Sequence, residues 1–521
     1  MTHPALSTIH QGSTASVLVA GSRLTNVRLP VGARVLQSRA RACSNVSVPE
    51  LVARALANPE DGVPLAQRLR SGMKVLVALS PNLGSFPNRP ALTAQAEALE
   101  VLLELCSSKG VSDVDVVVAT GLGSRLTPDQ LRRLVGKRNY DRLGVGRVRC
   151  HDSEPSGGLH HLDKTEKGEE TEVAPAVSHA DLVVSLAVLH CLRDGGPSQI
   201  TQGLGGAGDA VASLATFECG SDGGRGRYEG SCPSVWRQFA RVQQLVPVFS
   251  VELITAPDRF TGKLSLLNKR EDELTAGEQL KLRALTTMLN RLPDAARRSV
   301  FERSAQPSEV RAAFAGSARA VHERAVARFR AERKVPVSGV ADALVLAIPY
   351  FAKPESRLNP LTVAATAWAS VFESSAARPL VREGGTLIIV HPLTDYFEPK
   401  SYATSMAFLH EQLAVSRDPL ELEARRQSAS SGRPAFLEMH RLGRAVHPSL
   451  PFFSWYRSEA ARRYLSKVIV VGADNEYVPR LLGFETATSV GDALYRARGR
   501  KDAPQQVLCL RDPLSVVGEL S

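Results

Sequence analysis

The chemistry-bearing residues of this chain gather where one apolar run stops. Leu182 to Leu189 (LVVSLAVL) ends in His190, and CLRDGGPSQ follows, with Arg193 and Asp194 directly before a glycine pair. An imidazole, a guanidinium and a carboxylate this close together can move a proton or hold an anion. A buried parallel strand that breaks into a loop and then a helix is where open α/β sheets place ligands, because backbone N–H groups converge beyond the strand's carboxyl end. For His190 the competing reading is a core histidine bonded to backbone. Asp194-Gly195-Gly196 is also ordinary turn chemistry.

Other constellations carry less. Gly203, Gly205 and Gly208 spell G-x-G-x-x-G with Asp222 downstream, but the polar segment PSQITQ separates them from the strand end. A dinucleotide fingerprint needs its first glycine at that end, so the motif reads as a flexible or tightly packed loop. Residues 151–179 hold four histidines among acids, yet no H-x-x-x-H or H-E-x-x-H pattern. The segment reads as a solvent-exposed connection, and no metal ligand is assigned. Seven scattered cysteines without a C-x-x-C pair predict reduced thiols in a cytoplasmic protein.

The elements that must position these residues follow from pattern. At 521 residues the chain exceeds a single core. Strand MKVLVALS, helix LTAQAEALEVLLELCSSKG, strand DVDVVVATG and helix TPDQLRRLVG alternate, with Thr127 as N-cap and Pro128 at the first helical position. That rhythm predicts a parallel sheet with right-handed crossovers. After a block read as helical from Leu274 to about Arg333, the alternation resumes with ADALVLAIPYF, NPLTVAATAWASVF, GGTLIIVHP, SKVIVVGAD and QQVLCLR. The predicted class is therefore α/β, two domains with mostly parallel sheets and an inter-domain cleft. The boundaries are 1–270, a helical connection over 271–335, and 336–521. His391, ending GGTLIIV, is placed at that cleft from the second domain, with Asp395 nearby. HPSLPFFSWYRSEA either caps a cleft or fills a core, and filling is commoner.

A net charge of +11 suits an anionic partner. Basic and acidic residues nevertheless alternate along the helical segments, without the aromatic interleaving of single-strand binders, so nucleic acid is not expected. No apolar run is long enough for a bilayer and the first residues lack a secretory pattern, so no membrane is expected either.

Taken in order, ALANPEDGVPLAQRLRSGMKVLVALS, NRP, VVVATGLGSRLTPDQL, LDKTEKGEETEVAPAVSHADLVVSL and LHCLRDGG resemble the nickel-pincer lactate racemase family. VFSVELITAPDRF, LNKRE, GGTLIIVHPLTDYF and VIVVGADNEYVPRLLGF resemble a longer subgroup of it. The resemblance implies two α/β domains closing over a nickel cofactor built from a nicotinic-acid nucleotide and tethered to a lysine. It also implies two histidines flanking the substrate carbon and racemisation of a 2-hydroxy acid. One base per face takes the hydroxyl proton while the cofactor accepts hydride.

Carried over residue by residue, much of that apparatus is altered. Gly123 stands in ATGLGSR where the family has histidine, leaving His190 as the candidate catalytic residue. Asp194, Gly195, Gly196 and Ser198 occupy the implied cofactor-binding turn, but Pro197, Ser198 and Gln199 stand where the tethering lysine belongs. DAVASLATFE, near Leu214, has no histidine at the implied nickel ligand, and an apolar side chain cannot bind a divalent metal. Arg89 keeps the family's Arg-Pro in an altered loop, and Arg89, Arg125 and His391 are the candidate substrate-binding residues. The expectation is a lactate-racemase-like protein with lost or altered catalysis that binds a small anion such as a hydroxy acid, its cofactor unknown. The alternatives are an active nickel-dependent 2-hydroxy-acid racemase or epimerase, an interaction partner of an intact paralogue, and another α/β enzyme sharing only the fold.

Overall fold

In chain order the strands are β1 (Leu6–Thr8), β2 (Ser16–Ala20), β3 (Arg23–Val27), β4 (Arg34–Leu36), β5 (Lys74–Leu79), β6 (Asp113–Val118), β7 (Val148–Cys150), β8 (His160–Leu162), β9 (Thr171–Val173), β10 (Leu182–Leu189), β11 (Val248–Thr255), β12 (Val310–Gly316), β13 (Lys334–Val337), β14 (Ala341–Ala347), β15 (Val381–Val390), β16 (Lys467–Val471), β17 (Glu485–Ala487), β18 (Val507–Leu510) and β19 (Val517–Leu520). The structure is a computed structural model that describes residues 3–13, 15–39, 46–81, 92–154, 158–192, 194–208, 233–257, 259–306, 309–349, 359–399, 401–430, 434–498, 505–513 and 515–521. Arg89, Arg193 and the segment around Leu214 lie outside the described residues.

Two sheets carry the architecture. The first runs β12-β11-β10-β5-β6-β7, parallel except for the antiparallel β11–β12 pair. The second runs β1-β4-β18-β14-β15-β16-β17, parallel except for β1 against β4. The α/β class with mostly parallel sheets is as expected. β10 and β11 are buried at every position, as parallel strands covered on both faces must be. Val184, Leu186 and Val188 of β10 join a core with Leu99 and Leu102 of the helix Leu92–Ser108. Val183 faces the other way, packing with Ile200 and Phe239. Each such side chain contributes about 1.5–3 kcal/mol on leaving water, so the site at the end of β10 stands on a rigid floor.

Three sequence expectations differ from the structure. The block read as helical contains β12, whose VRAAFAG pairs antiparallel with β11. Alanine favours helix locally, and the open edge of β11 overrides it. β1 and β4 belong to the second sheet: β4 pairs in parallel with β18, so sheet membership crosses the 1–270 division, while β2 and β3 form a hairpin of their own. Periodicity marks a strand but not its distant partner. Finally, residues 151–179 are not simply exposed, because β8 and β9 form a hairpin and His151, Thr165 and Thr171 are buried.

The aromatic segment fills a core. Trp455 and Tyr456 are among the most deeply buried large side chains, and Trp455 meets Trp368 edge-on with centroids 5.5 Å apart. No helix among the described residues is long and apolar enough to cross a membrane.

Candidate functional site

The turn after β10 is built by its own side chains. Asp194 folds back so that one carboxylate oxygen accepts the backbone N–H groups of His190 at 2.7 Å and Cys191 at 2.9 Å. Gly195 and Gly196 have φ of +73° and +63°. A Cβ on Gly195 would lie 2.8 Å from Glu252 Oε1, and one on Gly196 would lie 2.9 Å from the His322 ring. Both the backbone conformation and the space therefore demand glycine. Ser198 Oγ donates to Gly195 O at 3.0 Å. Gln199 reaches back between two strands, its Nε2 donating to Ala78 O at 2.7 Å and Leu186 O at 3.1 Å.

Sequence reasoning missed what lies beneath this turn. Glu252, inside buried β11, accepts the Gly196 N–H at 2.7 Å and has both carboxylate oxygens 3.2 Å from His322 Nδ1. His322 comes from the helix Ala318–Arg333, and both partners are almost fully buried. Thr255 Oγ1 donates to Leu189 O at 2.9 Å and lies 3.3 Å from His190 Nδ1, while Arg333 donates to Thr255 O at 2.8 Å. One signal was available in the sequence, a single charged residue in the mostly apolar run VFSVELIT. A buried charge persists only when paired and hydrogen-bonded. Chemically the arrangement clamps a turn: its carboxylates and hydroxyls are spent on backbone and imidazole.

The downstream glycines pack as the loop reading expects. Gly203 donates to Ser198 O at 3.0 Å and accepts from Gly121 N–H at 3.0 Å, which ties this loop to the one carrying Gly123.

Gly123 and Arg125 lie at a contact between the two halves of the chain. Leu122 O accepts the His447 N–H at 3.0 Å, and Arg125 pairs with Asp152 at 3.4 Å while donating to Arg441 O at 3.4 Å. His447 Nε2 meets Glu154 at 3.0 Å, which holds that carboxyl below its usual range. The His440 ring lies edge-on to His447, centroids 5.1 Å apart. Burial and the neighbouring His447 lower its pKa to about 4. His151, whose Nε2 is 2.8 Å from Gly205 O, is likewise lowered by burial to about 4.

His391 is not brought to the β10 turn. It lines a separate cavity with residues of β3, β16 and the helix Ala276–Arg291, and none of His190, Asp194 to Ser198 or Arg125 lines that cavity.

The nickel-pincer nucleotide does not fit the residues at the turn. No lysine occurs between Lys167 and Lys263, and no histidine between His190 and His322. The Ser198 hydroxyl and the Gln199 amide are committed to backbone carbonyls, and neither offers the amine that a covalent tether uses. The polar atoms present secure the loop.

Residues 21–208 match the lactate racemase N-terminal domain family. The lactate racemase apoprotein from Thermoanaerobacterium thermosaccharolyticum superposes with a TM-score of 0.57 at 16% identity, covering 97% of this chain and 100% of that one. A protein from Thermotoga maritima aligns at a TM-score of 0.49 and 11% identity over 91% of this chain and 99% of its own. No curated protein matches. Residues 21–208 thus match a lactate racemase N-terminal domain, and the whole chain shares its mixed α/β architecture with the lactate racemase apoprotein.

Proposed function

We propose that this lactate-racemase-like protein binds a small anion, such as a 2-hydroxy acid, and has given up nickel-dependent hydride transfer. The observation that carries the reading is the turn after β10, where a serine hydroxyl bonded to Gly195 O stands in place of an amine. Gly123, where the family has an imidazole, removes a second part of the same apparatus, since racemisation by hydride transfer needs a base on each face. Retained positive charge supports anion binding: the chain carries +11, and Arg125 keeps 27% of its side chain exposed at the contact between the halves.

The test is purification of the full chain from a host that makes the nickel-pincer nucleotide. The expected result is an intact mass equal to the sequence, nickel far below stoichiometric, and no interconversion of lactate enantiomers. Calorimetric titration with lactate is expected to give saturable binding that Arg125→Ala weakens about tenfold. Nickel stoichiometric with the chain, together with a nucleotide-sized mass increase, overturns the loss of chemistry. Absence of lactate binding overturns the anion.

A further inference from the structure

The ends of β15 and β16 floor a cavity of about 1350 Å³. The β2–β3 hairpin forms one wall, the helix Ala276–Arg291 a second, and the start of the helix Val490–Arg498 a third. His391 ends β15 and is 1% exposed. Its Nδ1 accepts the Leu393 N–H at 2.9 Å, so the neutral ring carries its proton on Nε2. That Nε2 is buried and has no hydrogen-bond partner among the described residues. Leu393 is held at φ +42°, the one described non-glycine residue with a positive φ, and that conformation fixes the N–H orienting the imidazole.

A buried donor without an acceptor is unfavourable, and what surrounds it indicates the acceptor it suits. Arg23, Arg28 and Arg283 line the same cavity and form no ion pair among the described residues. Glu271, the single carboxylate of the lining, is already engaged by the Val17 N–H at 2.8 Å and by Arg511 at 3.1 Å. At the third wall Ser489 Oγ accepts the Asp492 N–H at 3.1 Å. The Val490 and Gly491 N–H groups belong to a first turn, which a helix leaves without internal acceptors. Burial and the Arg23 charge lower the His391 pKa to about 3, so the ring is a neutral donor across the physiological range.

We propose that this cavity is a binding site for a phosphate-bearing small molecule, with His391 Nε2–H donating to a phosphoryl oxygen and Arg23, Arg28 and Arg283 neutralising its charge. Three guanidiniums exceed what one carboxylate neutralises, and oxygen-rich dianions are what guanidiniums and helix N-termini hold together. The volume leaves room for an organic group beyond the phosphate. The site is separate from the β10 turn and does not depend on the reading given for it.

The experiment is calorimetric titration of the full chain with inorganic pyrophosphate, with lactate as a second arm, at low and at moderate salt. Saturable pyrophosphate binding that weakens with salt is expected. Arg23→Ala and His391→Asn are each expected to weaken it about tenfold. Asparagine keeps an acceptor for the Leu393 N–H and removes only the Nε2 donor, which guards against misfolding. Arg54→Ala, on an exposed helix elsewhere, serves as the control and is expected to leave the affinity unchanged. No pyrophosphate binding, binding that neither cavity variant alters, or lactate binding that Arg23→Ala and His391→Asn abolish while pyrophosphate does not bind would each overturn the proposal. Nickel content and racemisation report on the β10 turn alone, so the two readings fail separately.

Discussion

Three histidines show how identity and environment divide the work. His151, His391 and His440 all lie in water-excluded places, and burial lowers their pKa values from 6.5 to about 4, 3 and 4. A histidine whose folded pKa is depressed binds fewer protons than in the unfolded chain, so its contribution to stability is present above pH 6.5. That contribution is lost on acidification toward the folded value, at about 1.4 kcal/mol per pH unit for each group. The urea midpoint is therefore expected to fall steadily from pH 7 to pH 4. His151→Gln, which keeps a donor for Gly205 O, is expected to make that fall shallower; an unchanged slope would place the acid sensitivity elsewhere. None of these environments was legible in the sequence, because HDSEP reads as surface and the neighbours that bury His151 come from another loop.

The strand–turn–helix unit is the element on which the functional reading turns. Its strand and its turn were legible from LVVSLAVL and DGG, since a continuous apolar run and a glycine pair both have local physical meanings. Its anchor was not, because Glu252 and His322 lie far along the chain: the parallel β10–β11 pairing sets Glu252 under Gly196, and the helix Ala318–Arg333 adds His322. Gly196→Ala must place a Cβ 2.9 Å from the His322 ring at a φ that alanine resists. A loss of about 2–4 kcal/mol is expected, read as a lower urea midpoint. A destabilisation within about 0.5 kcal/mol, the range of ordinary surface changes, would show that the turn is free to move and is not the clamp described above.

For the whole molecule, the second sheet draws its strands from both ends of the chain, which no linear division anticipates. β4 lies between β1 and β18, so the second sheet needs residues near both ends of the chain. Arg511, just past β18, donates to Gln37 Oε1 at 2.9 Å and to Leu267 O at 3.2 Å, adding a buried tie between distant segments. A fragment of residues 1–270 would lack β12 as a cover for the β11 edge and would carry β1 and β4 without their partner. Such edges invite aggregation. The fragment is expected to be insoluble or unfolded by circular dichroism, and a soluble, cooperatively melting 1–270 would contradict the account.

What the sequence by itself determined is the class and which residue types stand at the turn and which are absent from it. The α/β rhythm, the family resemblance, the glycine at position 123 and the absence of lysine from 168 to 262 are all local facts about residue order. Tertiary structure decided which groups meet. It spent Ser198 on Gly195 O, set Glu252 and His322 beneath the glycine pair, and moved His391 away from that turn to a cavity lined with arginines. The physical reason is that hydrogen bonds, charge pairing and burial depend on distances through space. In a parallel sheet those distances are set by strands many residues apart.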